Sequence, residues 1–164
     1  YPLPEAQIDR FMFKVIVGYP NSDEELEILK RMGNINTNLD LKAVVKPEQI
    51  LSARKIVDQI HIAENIQQYI VSLVLATRNP SEYGLKDLSS LINFGASPRA
   101  TIFLATASKS HAFLNKRGFV IPEDVRSVGK SILRHRIILT YEAEAEEITT
   151  EDIIQRIYES VPTP

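Results

Sequence analysis

From Phe11 to Val17 the chain reads Phe-Met-Phe-Lys-Val-Ile-Val, a nearly unbroken apolar run that Gly18-Tyr19-Pro20 ends. Such a run predicts a strand buried on both faces, as in a parallel sheet covered by helices. No other segment reads as an equally strong strand, and a buried strand needs neighbours. The run therefore predicts a sheet whose other strands lie upstream of Tyr1. Without those partners, unpaired N–H and C=O groups beside apolar side chains predict a disordered N-terminus or edge pairing with a second copy.

After Pro20 the periodicity becomes helical. Ser22 with Glu25 three residues on predicts a capping box opening a helix to about Met32, with Leu26 and Leu29 facing inward. A polar stretch, Gly33 to Asp40, follows. Pro47 suits the first turn of the next helix, whose apolar stripe is Ile50, Ala53, Val57 and Ile60. Ile66, Ile70, Leu73 and Thr77 place another helix from about Glu64, stopped by Asn79-Pro80. A loop with a short helical turn spans Pro80 to Ala96.

Ser97-Pro98 starts a long helix to about Lys116, with Gly118 as its C-terminal signal. Pro122 starts the next, with Val125, Val128 and Ile132 inward. Arg134, His135 and Arg136 occupy its last turn, where cations suit the helix dipole. Thr149 caps the final helix, Ile148 and Ile153 are placed as a hydrophobic staple, and Ile153, Ile157 and Val161 make its buried stripe. The region from Ser22 to Pro164 is thus predicted as a small α-helical domain.

Composition narrows the function classes. Hydrophobic residues make up 44% and charged residues 24%, which suits a globular domain with a core. The formal charge of −2 opposes a nucleic-acid binder that works through a broad basic face. The absence of cysteine excludes disulfides and thiolate metal sites and is compatible with a reducing cytosol. No apolar run approaches the roughly 20 residues that span a bilayer, and no signal peptide is visible. A first residue of Tyr1, inside an apolar, proline-containing stretch, reads as the middle of a longer protein.

Candidate chemistry is sparse. Gly129-Lys130-Ser131 invites a phosphate-loop reading, but the motif needs a glycine where Asp124 stands, and Pro122 has already opened a helix there. Arg99 follows Ser97-Pro98, in the first turn of a helix, where free N–H groups and a guanidinium together suit a phosphate. The competing reading is a solvated surface arginine. Arg10 directly precedes the apolar run, at the rim of the expected sheet. It can project towards a neighbouring subunit and stabilise charge on a transferring phosphoryl group, or else pair with Asp9 or Glu5. His61, His111 and His135 show no spacing of a metal site, and the acids of Glu142 to Glu147 read as a solvated face.

Three segments together resemble the MoxR branch of AAA+ ATPases, relatives of the ATPase subunit of magnesium chelatase. They are Tyr1-Pro2-Leu3-Pro4-Glu5-Ala6-Gln7-Ile8-Asp9-Arg10-Phe11, then Gly95-Ala96-Ser97-Pro98-Arg99-Ala100, then Leu133-Arg134-His135-Arg136-Ile137-Ile138-Leu139 with Tyr141-Glu142-Ala143-Glu144-Ala145. The resemblance implies a mainly α fold: residues 1–20 as the remnant of the α/β nucleotide-binding core with its last strand, and residues 21–164 as the helical AAA+ lid. It implies that Arg10 is the arginine finger and Arg99 the sensor-2 arginine, with Ser97 beside it in the nucleotide-sensing set. Action of Arg99 in its own subunit or in a neighbour stays open.

The phosphate loop, Walker-B acids and sensor-1 residue would lie upstream, so this half alone is expected to be inactive and to bind neither ATP nor magnesium tightly. ATP and magnesium belong to the intact protein, a cytoplasmic ring, by resemblance a hexamer. That ring would remodel other proteins in a chaperone-like way, with von Willebrand factor A domain proteins among its partners. No nucleic acid and no membrane insertion are implied. The alternative is a non-enzymatic helical module that binds a partner through an apolar groove. A Gly-x-x-x-x-Gly-Lys-Ser/Thr segment upstream in the gene would decide for the ATPase.

Overall fold

A computed structural model describes residues 3–33 and 41–164; Tyr1-Pro2, and all but Gly33 of the expected polar stretch Gly33–Asp40, lie outside the described residues. The chain forms two compact units, one of Tyr1–Lys14 with Arg54–Pro164 and one of Val15–Ala53. The fold is mainly α with one small sheet, as expected of a helical lid.

A short helix, α1 (Glu5–Ile8), belongs to the larger unit, and α2 (Ser22–Met32) lies within the smaller one. The cap of α2 lies one residue earlier than expected: Asn21 Oδ1 accepts from the Asp23 and Glu24 amides, and Glu24 accepts from the Asn21 amide at 2.8 Å. Asn-x-x-Glu and Ser-x-x-Glu overlap here with the same spacing, and the stronger asparagine cap prevails. Leu26 and Leu29, expected inward, are exposed, and α2 buries no residue. Among the described residues the run Phe11–Val17 forms no ladder. A strand exists only through a neighbouring strand, and the described residues offer this run none.

The larger unit holds the core. α3 (Pro47–Gln59) leads into it; Ile50 and Ala53 of its expected stripe are not buried, whereas Ile60 just beyond its end is. α4 (Glu64–Arg78) contributes Ile70, Leu73 and Val74, α5 (Pro98–Leu114) contributes Leu104, and α6 (Pro122–Leu133) contributes Val125, Ile132 and Leu133. α7 (Tyr141–Ala145) is a short turn of helix, and α8 (Thr150–Ser160) adds Ile153, Ile154 and Ile157. Each such side chain stabilises the fold by about 1.5–3 kcal/mol through removal from water.

The ends of these helices follow local chemistry. Thr149 Oγ1 accepts from the Asp152 amide and caps α8 as expected. α5 ends earlier than Gly118 suggests: Asn115 is its C-cap, and Lys116 takes the left-handed turn at φ 58°. The Arg117 amide then donates to the Ala112 carbonyl at 2.9 Å, which satisfies a carbonyl of the last turn. Gly129-Lys130-Ser131 lies inside α6, as its context predicts.

Between α4 and α5 the expected loop contains two 3₁₀ turns, Pro80–Tyr83 and Lys86–Ser90, and strand β1 (Ile92–Phe94). β1 pairs antiparallel with β2 (Ile138–Leu139), Ile92 opposite Leu139 and Phe94 opposite Ile138. Neither strand is expected from the sequence, yet their pairing positions the site. In an antiparallel register the residues just after β1 run alongside those just before β2. The pairing thereby sets the Gly95–Arg99 segment beside Arg136.

Candidate functional site

The segment that carries Ser97 and Arg99 is pinned from behind by α4. Thr77 Oγ1 donates to the Val74 carbonyl at 2.7 Å and accepts from the Ala96 amide at 2.9 Å. Arg78 Nε donates to the Ala96 carbonyl at 2.6 Å. Gly95 permits this approach, because a Cβ there would sit 2.3 Å from the Thr77 carbonyl oxygen. Ser97 then caps α5: its hydroxyl accepts from the Arg99 amide at 3.3 Å. Arg99 is thus fixed in the first turn of a 17-residue helix, where backbone amides point outward and favour an anion.

Asp9 meets this helix start. α1 and the turn after it, with the Asp9 amide donating to the Glu5 carbonyl at 2.9 Å, place its carboxylate among three donors. The Ser97 hydroxyl lies 3.1 and 2.9 Å from the two carboxylate oxygens, Arg99 Nη1 donates to Oδ2 at 2.9 Å, and Arg136 Nε donates to Oδ1 at 3.0 Å. Burial alone would raise the Asp9 pKa. The Ser97 and Arg99 hydrogen bonds and the charges of Arg136 and Arg99 outweigh it and hold the carboxyl below its ordinary value.

Arg136 is the buried member of the group. Its side chain has no solvent exposure, and its Nη2 donates to the carbonyls of Asp9 at 2.8 Å and Phe11 at 2.6 Å. Nη1 donates to the Met12 carbonyl at 3.2 Å and to that of Ile132, and the guanidinium lies 4.9 Å from the centre of the Phe103 ring. The neighbouring turn completes the hold. Arg134 Nη1 donates to the Lys14 carbonyl at 2.9 Å, the Lys14 amide to the Ser131 carbonyl at 2.8 Å, and His135 Nε2 lies 2.9 Å from the Phe11 carbonyl. The backbone from Phe11 to Lys14, part of the run expected to lack partners, is therefore bound to the end of α6. Burial, offset by the Phe11 carbonyl and reinforced by the Arg136 and Lys14 charges, pushes the His135 pKa below its ordinary value.

Of the residues singled out in the sequence, Ser97 and Arg99 come together around one carboxylate. Arg10 is adjacent to that carboxylate in the chain but stands apart from it. Its side chain is exposed and makes no ion pair or side-chain hydrogen bond among the described residues. The expected alternative, a pairing of Arg10 with Asp9 or Glu5, does not form, because Asp9 is taken by Arg99 and Arg136. Asp9 and Arg136 are the members of the group that sequence reasoning misses. Each has one signal, its place in a segment that carries the family resemblance: Asp9 in the one that holds Arg10, Arg136 in Leu133–Leu139.

The histidines stand apart from one another. His61 bridges to the Gly118–Val120 backbone, His111 Nδ1 lies 2.7 Å from Asp124 Oδ1, and His135 faces Phe11. Among the described residues no group of three or more His, Asp or Glu side chains is arranged to hold a metal ion, and no helix is long and apolar enough to cross a membrane. The arrangement sets one cation, Arg99, at a helix N-terminus and a second, exposed cation, Arg10, one residue from the first one's counter-ion.

Comparison with known proteins identifies the architecture. Residues 86–157 match the model of the AAA lid domain. Over all 164 residues the chain is 43% identical to Chaperone MoxR1 of Mycobacterium tuberculosis (strain ATCC 25618 / H37Rv), covering 43% of that protein. It is 30% identical to Protein MoxR of Paracoccus denitrificans, with all of this chain and 52% of that protein aligned. A crystal structure of "a putative ATPase" from Cytophaga hutchinsonii ATCC 33406 superposes with a TM-score of 0.94 at 46% identity, covering all of this chain and 50% of that one. The chain spans about half the length of the curated relatives it matches.

Proposed function

The chain belongs to the MoxR family of AAA+ proteins, and from that premise we propose that it supplies the arginine finger and the sensor-2 arginine of an ATP hydrolase. In this reading Arg10 is the finger, Arg99 the sensor, and Ser97 the residue that fixes the sensor's helix start. Residues 1–20 are the end of the nucleotide-binding core and residues 21–164 the lid.

One observation carries the assignment. Arg99, in the first turn of α5, shares its side-chain partner Asp9 with the Ser97 hydroxyl and with buried Arg136, and Asp9 is the residue next to exposed Arg10. Two cations suited to phosphate are thus mounted on a single ion-paired joint between the N-terminal segment and the lid.

The division of labour follows from charge. In phosphoryl transfer the protein contributes mainly position and electrostatic stabilisation. An exposed guanidinium without a resident anion among the described residues, such as that of Arg10, can meet the charge that develops on the transferring group in a neighbouring subunit. Arg99 can read a terminal phosphate beside α5 and pass its movement to the lid. The phosphate loop and the carboxylates for magnesium would come from the rest of the protein, which we place before Tyr1. Assembly as a ring, a cytoplasmic location and chaperone-like remodelling of other proteins are part of the proposal, and the name of the M. tuberculosis relative, a chaperone, supports the last of these. Proteins with von Willebrand factor A domains are the partner class we would test first.

The test is ATP hydrolysis by the whole protein, wild type against Arg10→Ala and Arg99→Ala, with nucleotide binding measured alongside. Arg10→Ala is expected to lower kcat on the order of a hundredfold or more while binding largely survives. Normal hydrolysis by both variants overturns the assignment.

A further inference from the structure

Asp9 serves two cations unequally. Arg136 is wholly enclosed and, besides the carboxylate, donates to the carbonyls of Asp9, Phe11, Met12 and Ile132. Arg99 has a side chain that is 46% exposed, and Asp9 Oδ2 is its one side-chain partner among the described residues. Losing Arg136 would strip donors from four carbonyls and a carboxylate. Losing Arg99 would leave Asp9 still bound by the Ser97 hydroxyl and the Arg136 Nε–H. Arg99 is therefore the exchangeable partner, and a terminal phosphate, with more charge and three acceptor oxygens, is the kind of anion that takes it.

We propose that Asp9 is a positioning residue that holds Arg99 in reserve and yields it only to a triphosphate, so that it sets the threshold at which Arg99 responds to nucleotide. The inference rests on the sensor reading of Arg99. A diphosphate that does not reach Arg99 leaves the Asp9 pair intact, so the resident carboxylate affects one nucleotide and spares the other. Release of Arg99 also removes one of the three side chains that hold the residue next to Arg10, which gives the finger segment a direct report of what the sensor has bound.

The experiment is calorimetric binding of a non-hydrolysable ATP analogue and of ADP, each with magnesium, to the whole protein. Asp9→Asn keeps an oxygen for Arg136 and removes the charge that competes for Arg99. It is expected to tighten the analogue roughly fivefold, the scale of one partly exposed ion pair, and to leave ADP unchanged. The gain is expected to vanish in Asp9→Asn/Arg99→Ala relative to Arg99→Ala. Analogue binding that is unchanged or weaker in Asp9→Asn, or equal shifts for both nucleotides, overturns the proposal. Arg99→Ala alone separates the two claims. If it binds the analogue like wild type, the sensor reading falls and this inference with it; if it weakens the analogue while Asp9→Asn fails to tighten it, this inference alone falls. Should Asp9→Asn not fold, the Asp9 carboxyl carbon resonance in the wild-type protein decides. It is expected to move with the analogue and stay still with ADP, and a resonance that ignores both overturns the proposal.

Discussion

Arg136 grips Asp9 twice, through Nε to the carboxylate at 3.0 Å and through Nη2 to the carbonyl of the same residue at 2.8 Å. A single guanidinium thus fixes both the side chain and the backbone of the residue before Arg10. Its planar fork suits this task, since several donors lie in one plane at set angles.

Removing that fork is expected to be costly. Arg136→Gln leaves Asp9 without its enclosed cation and several carbonyls without donors, a loss of about 3 kcal/mol. For a chain of this size the melting temperature should fall by roughly 10 °C. Arg136→Lys should recover only part of this, since one ammonium cannot reach the carboxylate and the carbonyls together. Thermal unfolding followed by circular dichroism checks both variants, and a melting temperature within a degree of wild type in Arg136→Gln would show the clamp to be unimportant.

Gly95→Ala tests the packing behind Ser97. The added Cβ would meet the Thr77 carbonyl oxygen at 2.3 Å and the Arg78 amide nitrogen at 2.8 Å, and both are backbone atoms that cannot swing away. The strand-to-helix turn must shift, at a cost of about 1–3 kcal/mol. Denaturant unfolding measures that cost. The same shift should weaken capping of α5 by Ser97, seen as faster amide exchange in its first turn.

Asp124 should make the domain acid-sensitive. It is fully buried, with Arg117 Nη1 and Nη2 donating at 2.6 and 2.5 Å and the Ile121 amide at 2.9 Å. Burial pushes its pKa up, but the Arg117 hydrogen bonds, the Ile121 amide and His111 prevail and hold it at about 2. A carboxyl whose folded pKa is depressed contributes stability that is full above the unfolded value. That stability is lost as pH falls through the folded one. The wild type should therefore lose about 2 kcal/mol between pH 5 and pH 2 that Asp124→Asn, already less stable at neutral pH, does not lose. Urea unfolding across that range checks the difference.

Much of the helical framework is legible in the sequence because its signals are local. Pro47, Ser97-Pro98, Pro122 and Thr149 each sit at the helix start they predict, since proline at the first turn and a hydroxyl cap act within three residues. Signals that depend on distant partners are not legible. Ile92–Phe94 and Ile138–Leu139 are too short to read as strands alone, and only their pairing makes them so. The apolar face of α2 promises burial that no described neighbour provides. Ser97 and Arg99 can be named from a helix start and a family motif, whereas Arg136 takes its meaning from a partner 127 positions away.

That separation has a kinetic side. Closing a loop of this length carries an entropic penalty that grows with the logarithm of its size, whereas α5 and α6 meet across a short connection. Residues Asp9 to Lys14 should therefore dock last in folding and leave first in unfolding, as a latch laid over a domain already assembled. Hydrogen exchange should find the Lys14 amide, bonded to Ser131, opening well before the amides of α5. The part of the chain that presents Arg10 is then also the part that can be released without melting the lid.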